Sequence, residues 1–134
     1  MKSSLSGVPL LFRPLALRGR VARNRIVISP MSTSSASAEG LAQPWHFAHL
    51  AKFALGGAGI VFAEATAVDP RGRVTHADLG LWSEAHAAAL RPIAEFVKSQ
   101  GALAGIQLAH AGRRGSCGVL APWRRATDAR SRSP

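Results

Sequence analysis

Gly59-Ile60-Val61-Phe62-Ala63-Glu64-Ala65 is the stretch that decides the fold. Its apolar half is continuous rather than alternating, the pattern of a strand buried on both faces. It turns polar at Glu64. Two other stretches follow the same plan. Ile26-Val27-Ile28 runs into Ser29-Pro30-Met31, and Ala104-Gly105-Ile106 runs into Gln107-Leu108-Ala109-His110. Each interval between them is long enough to hold a helix. Parallel strands need such crossovers and present their chemistry at their carboxyl ends, so the chain reads as α/β.

The intervals support this. Pro44 suits a first helical position, where its missing N–H costs nothing, and Phe47, Leu50, Ala51 and Ala54 follow at helical spacing up to Gly56-Gly57. Asp69-Pro70-Arg71-Gly72 reads as a turn. Ser83 is placed to cap a helix starting at Glu84, with Ile93, Phe96 and Val97 on its buried side and Gly101 at its end. Pro92 is expected to kink that helix or split it in two. The predicted strands are 25–29, 59–63 and 102–108, joined by right-handed crossovers. Ahead of them, residues 10–25 read as a short extended or hairpin segment with Gly19 in the turn. Residues 32–43 read as a loop and residues 1–9 as loose.

The chain has 134 residues, 47% of them apolar, which suits one ordinary domain. Its formal charge of +10 raises nucleic acid as a partner. The charge lies at the ends, however, in Arg13, Arg18, Arg20, Arg23 and Arg25 and in the arginines from Arg113 onward. The middle is nearly balanced, and no aromatics interleave with the basic residues to stack bases. A small basic nucleic-acid- or protein-binding module without enzymatic activity is therefore the second reading, with a salt-dependent gel shift as its signature. Cys117 is the only cysteine, so no intrachain disulfide forms, and a reducing, cytoplasmic location is the default expectation. No apolar run approaches the ~20 residues of a membrane span. Residues 117–134 lack periodicity and read as a disordered tail or the product of a shifted reading frame, which translation in the other frames would test.

On parallel strands, Ser29, Ser32, Glu64, Gln107, His110 and Arg113 converge on one rim. Neutral hydrogen-bonding groups of this kind suit a planar heterocycle better than a metal, and such a rim suggests a cofactor-dependent barrel. Each residue also has a plainer reading. His46 and His49 lack a wider Cys/His cluster and are expected as surface or interface side chains rather than metal ligands. His110 is expected to be a structural hydrogen-bonder at a strand end, and Arg113 and Arg114 to be solvated or paired. Glu64 is a general-base candidate or the partner of an arginine beneath the cofactor. Trp45, Trp82 and Phe96 are expected to serve core or helix packing, and Cys117 to be a free thiol.

Six segments occur here in order: Leu11-Phe12-Arg13-Pro14-Leu15, Asn24-Arg25-Ile26-Val27-Ile28-Ser29-Pro30-Met31, Glu64-Ala65-Thr66-Ala67-Val68, Pro70-Arg71-Gly72-Arg73, Leu79-Gly80-Leu81-Trp82 and Gln107-Leu108-Ala109-His110-Ala111-Gly112-Arg113. Over about residues 10–116 they resemble the amino-terminal third of the Old Yellow Enzyme family, the NADH:flavin oxidoreductases, nearest the bacterial subclass that includes xenobiotic reductases. The resemblance implies a partial TIM (β/α)₈ barrel, its first three β/α units with parallel strands preceded by a short hairpin. The domain division is then 1–9, 10–116 and 117–134.

The resemblance further implies non-covalent FMN, NAD(P)H as reductant and hydride transfer to the β-carbon of an activated alkene. By position, Ser29, Pro30, Met31 and Ser32 would line the flavin after the first strand, Ala65 would approach it after the second, and Gln107 would hydrogen-bond the pyrimidine edge. Ser32 stands where the family commonly has Cys or Thr, and Ser34 where the subclass often has Tyr; this chain has no tyrosine. The family's substrate-anchoring His/Asn or His/His pair, catalytic Tyr and FMN phosphate site come from later strands, so no catalytic and no metal-binding residue is assigned here. A complete barrel needs about 250 residues. The expectation is therefore a fragment, inactive alone, poorly soluble or molten, and without stoichiometric FMN. A homo-oligomer or a complementing chain with the remaining strands is the expected assembly.

Overall fold

A computed structural model describes residues 7–115. A 3-10 turn at Leu10–Phe12 leads into a hairpin of β1 (Leu15–Leu17) and β2 (Arg20–Ala22), paired antiparallel. The turn lies at Arg18-Gly19 as expected, but Arg18 takes the left-handed backbone (φ 52) rather than Gly19. Then come β3 (Val27–Ile28), α1 (Pro44–Leu55), β4 (Ile60–Ala67), α2 (Glu84–Ser99) and β5 (Leu103–Ala109).

The order in the sheet is β3-β4-β5, and both pairings are parallel. The strand–helix–strand–helix–strand reading thus holds. The central strand β4 is longer than expected and β3 shorter. β4 extends because its far end gains a second neighbour: Ala67 N donates to Leu79 O at 2.8 Å and Leu81 N to Ala67 O at 2.8 Å. β3 stops after two residues because Pro30 has no N–H to give a ladder.

α1 and α2 pack together on one face of the sheet. Leu50 and Ala54 of α1, Ile93 and Val97 of α2, and Val61 and Ala63 of β4 form one buried cluster with Ala58 and Ala102. Leu50 alone contributes about 2 kcal/mol by burial. On the opposite face the Phe62 ring covers its cross-strand partner Gly105, where a larger residue would collide with it.

Pro92 does not break α2, which runs unbroken from Glu84 to Ser99. Proline removes one bond to the carbonyl four residues earlier. Both Pro92 and Ala88 lie on the solvent face, so water can satisfy the freed carbonyl, while Ile93 and Val97 anchor the buried face on either side. Ser83 occupies the N-cap position but makes no side-chain cap bond, because its hydroxyl pairs with His86 Nδ1 at 2.7 Å.

Candidate functional site

The register brings two of the sequence-predicted residues side by side, and the others follow the short strand β3. Val27 pairs with Ile60 and Ile28 with Val61, so Ser29 leaves the ladder at the level of Phe62 and Ser29 to Ser32 form the start of the loop that follows β3. Ala65 pairs directly with Gln107. Ser29, Met31, Ser32 and Gln107 are exposed, and Pro30 and Ala65 are half-buried. No side chain among these six hydrogen-bonds to another described residue. The rim is therefore a row of free hydroxyl, thioether and carboxamide groups around one small residue. Ala65 leaves room beside it, and Gln107 offers both a donor and an acceptor.

The loops behind this row are, by contrast, heavily tied. Ala36 N donates to Ala77 O at 3.0 Å, Gly80 N to Gly40 O at 2.9 Å, and Arg73 Nη1 to Ala38 O at 2.8 Å. Gly40 has φ +85, and a Cβ there would meet Trp82 Cη2 at 2.7 Å, so only glycine fits. Trp82 thus packs against loop backbone and His86, in line with its expected packing role. Trp45 does not: it is 53% exposed and stacks on His49 at 5.9 Å. Phe96 packs on Phe47 at 5.0 Å.

His46 corrects the expectation of a surface side chain. It is 2% exposed, because it is the third residue of α1 and reaches back to cap the helix: Gln43 N donates to its Nδ1 at 2.9 Å. His49, one turn on, is half-buried; burial first, and then the Lys52 ammonium, pushes its imidazole below the ordinary range. Among the described residues no group of His, Cys, Asp and Glu is arranged to hold a metal ion.

Glu64 is 5% exposed and pairs with no arginine. Thr33 N donates to its Oε2 at 2.7 Å and Thr33 Oγ1 to its Oε1 at 2.8 Å, while His46 Nε2 lies 3.3 Å from Oε1. An arginine partner is thereby replaced by a threonine that the sequence reading passed over; an apolar strand ending in Glu, with Thr just past the neighbouring strand, is the only signal there was. His110 behaves as read: Gly112 N donates to its Nδ1 at 3.0 Å, and its ring lies against Gly72. Arg113 is exposed. Cys117 and the tail lie outside the described residues.

Two of the arginines near the start serve the fold. Arg13 Nε donates to Val8 O at 2.7 Å, and Arg23 binds the carbonyls of Ala54, Ala58 and Gln100. A groove of about 350 Å³ lies on the helix side of the sheet, lined by Val61, Ala63, Ile93, Val97, Ala104 and Ile106 among others. It lacks the converging neutral donors of the rim, so the rim is the better candidate. No described helix is long and apolar enough to cross a membrane.

Known proteins share this arrangement. The sequence model of the NADH:flavin oxidoreductase / NADH oxidase family matches residues 10–127. The chain is 42% identical over 127 residues to an NADPH dehydrogenase of Bacillus subtilis, covering 92% of this chain and 38% of the relative. It is 47% identical over 106 residues to an NADPH dehydrogenase of a Geobacillus species, covering 78% and 31%. Among solved structures, the old yellow enzyme from Trypanosoma cruzi superposes with a TM-score of 0.71 at 34% identity, covering 80% of this chain and 28% of that one. The old yellow enzyme homologue from Zymomonas mobilis gives 0.70 at 30% identity, covering 76% and 28%. The chain thus spans about a third of the length of the curated relatives it matches.

Proposed function

Because the chain belongs to the NADH:flavin oxidoreductase / NADH oxidase family, we propose that it supplies the first three β/α units, and the first wall of the FMN site, of an NAD(P)H-dependent flavin oxidoreductase. The observation that supports this is the pairing of Ala65 with Gln107 toward the carboxyl ends of parallel β4 and β5, with unpartnered Ser29 to Ser32 following β3. In this reading residues 10–116 are the amino-terminal part of a (β/α)₈ barrel.

Bound FMN would supply the hydride chemistry, from NAD(P)H to an activated alkene. The chain's own residues bind and orient. Gln107 presents its carboxamide to the pyrimidine edge, where a donor favours the charge of the reduced ring. Ser29 and Ser32 offer hydroxyls, Met31 and Pro30 an apolar surface, and Ala65 the absence of bulk. Ser32, where the family commonly has Cys or Thr, leaves this edge harder and less polarizable than a thiol would. The substrate-anchoring and phosphate-binding groups belong to later strands, so these residues hold the flavin weakly by themselves.

An FMN titration followed by flavin fluorescence tests the reading. The purified chain is expected to be colourless, to quench added FMN saturably in the high micromolar range, and to lose that quenching in Gln107→Ala. Quenching that is absent at millimolar protein, or identical in Gln107→Ala, would refute the assignment of the rim.

A further inference from the structure

We propose that Glu64 is the positioning residue of the β3–α1 loop: from a bulge in β4 its carboxylate clamps Thr33, and so sets the geometry of the Ser29–Ser32 segment. This rests on the flavin reading for its purpose but not for its existence.

The bulge is explicit in the register. Ala63 pairs with Ile106 and Ala65 with Gln107, so Glu64 is the extra residue on β4. A bulge re-aims the side chain it carries. Here it turns a carboxylate into a site where it is 5% exposed. A buried carboxylate is costly unless it is fully served by donors. Thr33 supplies two, its N–H to Oε2 at 2.7 Å, in the short range of charge-assisted bonds, and its hydroxyl to Oε1 at 2.8 Å.

His46 adds a third positive contact. Its Nδ1 accepts from Gln43 N, so in the neutral ring the proton sits on Nε2, 3.3 Å from Oε1. The approach is too oblique for a hydrogen bond, since Nε2 has no hydrogen-bond partner among the described residues. The contact is therefore between a ring N–H dipole and a charge. One carboxylate thus connects the start of α1, the end of β4 and the loop between β3 and α1.

The loop needs such a clamp. Ser34, next to Thr33, holds φ 47, a left-handed conformation that serine adopts only when its surroundings impose it. Ser35 Oγ donates to Thr33 O at 3.0 Å. Every polar group of Thr33 is thereby engaged. Two donors on Thr33 converge on Glu64 and the His46 ring N–H faces it, so the site calls for an acceptor-only group. Glutamine has the same shape but brings two N–H bonds of its own. Glu64→Gln must aim one at Thr33 or at His46 and loses part of the clamp without opening a cavity.

Amide hydrogen exchange on the full chain tests this directly. In Glu64→Gln the Thr33 amide is expected to exchange about tenfold faster or more, from the loss of a charge-assisted bond, while amides of Val61, Phe62 and α2 keep their rates. Thr33→Ser should retain wild-type rates across residues 31–36, and Thr33→Val should raise them, which a purely steric role for Thr33 would not produce. FMN titration of the same variants is expected to show weaker quenching in Glu64→Gln and Thr33→Val and none of that loss in Thr33→Ser. Equal Thr33 exchange in wild type and Glu64→Gln would overturn the clamp. Should Glu64→Gln fail to fold, equal loop exchange in Thr33→Val and wild type overturns it. If wild type quenches no FMN, the flavin reading fails while the exchange data still decide the clamp.

Discussion

The two ends of the three-stranded sheet are built to opposite rules. At the amino ends, polar side chains are consumed by backbone. Arg23 binds Ala54 O at 2.9 Å, Ala58 O at 3.0 Å and Gln100 O at 2.7 Å, which ties the end of α1 to the end of α2. Asn24 donates to Gly57 O at 2.8 Å and accepts from Ile26 N at 3.1 Å. At the carboxyl ends, Ser29, Ser32 and Gln107 keep their hydrogen-bonding capacity, and the buried carboxyl of Glu64 is used to hold a loop. Helix ends leave carbonyls that something must satisfy, so the amino-end groups are structural by necessity. Free groups on a rigid rim are available for a ligand.

If that division is right, substitutions at the amino ends should cost stability and those at the rim should cost binding. Gly59→Ala is expected to have the largest effect, about 2–3 kcal/mol, as an overpacked site. Its Cβ would meet the Asn24 backbone carbonyl and, at 2.6 Å, Asn24 Oδ1, neither of which can move without breaking the Asn24 staple. Arg23→Ala follows at about 1–2 kcal/mol, because it removes charge-assisted bonds that are partly open to water. Urea unfolding midpoints check both, and an unchanged midpoint for either would remove the structural label from this end. Gln107→Ala should change stability by less than about 0.5 kcal/mol, as an exposed residue without partners, while it alone abolishes FMN quenching. A large stability loss there would erase the contrast between the ends.

The parts of this contrast that the sequence makes legible are those with a periodic or single-residue cause. The continuous apolar runs mark β4 and β5, Pro44 marks the start of α1, and Gly57 and Gly101 mark the ends of α1 and α2. Ala65 and Gln107 could be brought together because their strands run parallel and adjacent. What stayed hidden depends on contacts between distant segments. The bulge at Glu64 exists only relative to β5. Its partner Thr33 is 31 residues away. His46 looks exposed on a polar helix start until its reach back to Gln43 is seen. Pro92 misleads because its cost depends on which face it occupies, and the helix pattern alone does not weigh a lost bond on the wet side against Ile93 and Val97 on the dry one.

The smallest expected effect sharpens the comparison from the rim side. Asp69 accepts from Arg71 N at 2.8 Å and from the Arg71 guanidinium at 2.9 and 3.0 Å. The Arg71 side chain first, then its backbone N–H, hold the Asp69 carboxyl down to about 2, from an ordinary 3.8. A folded value below the unfolded one means that the carboxylate's contribution is present above about pH 4 and is lost as the pH falls toward 2. The pair is open to water, so salt screens it and the stability change is minor. Asp69→Asn should therefore be slightly less stable than wild type at neutral pH, and the two should converge between pH 4 and pH 2, most clearly at low salt. Divergence on acidification would mean that Asp69 is held by something other than Arg71. It would also mean that the turn it caps, which brings Gly72 against His110 beside the rim, is anchored as firmly as the opposite end of the sheet.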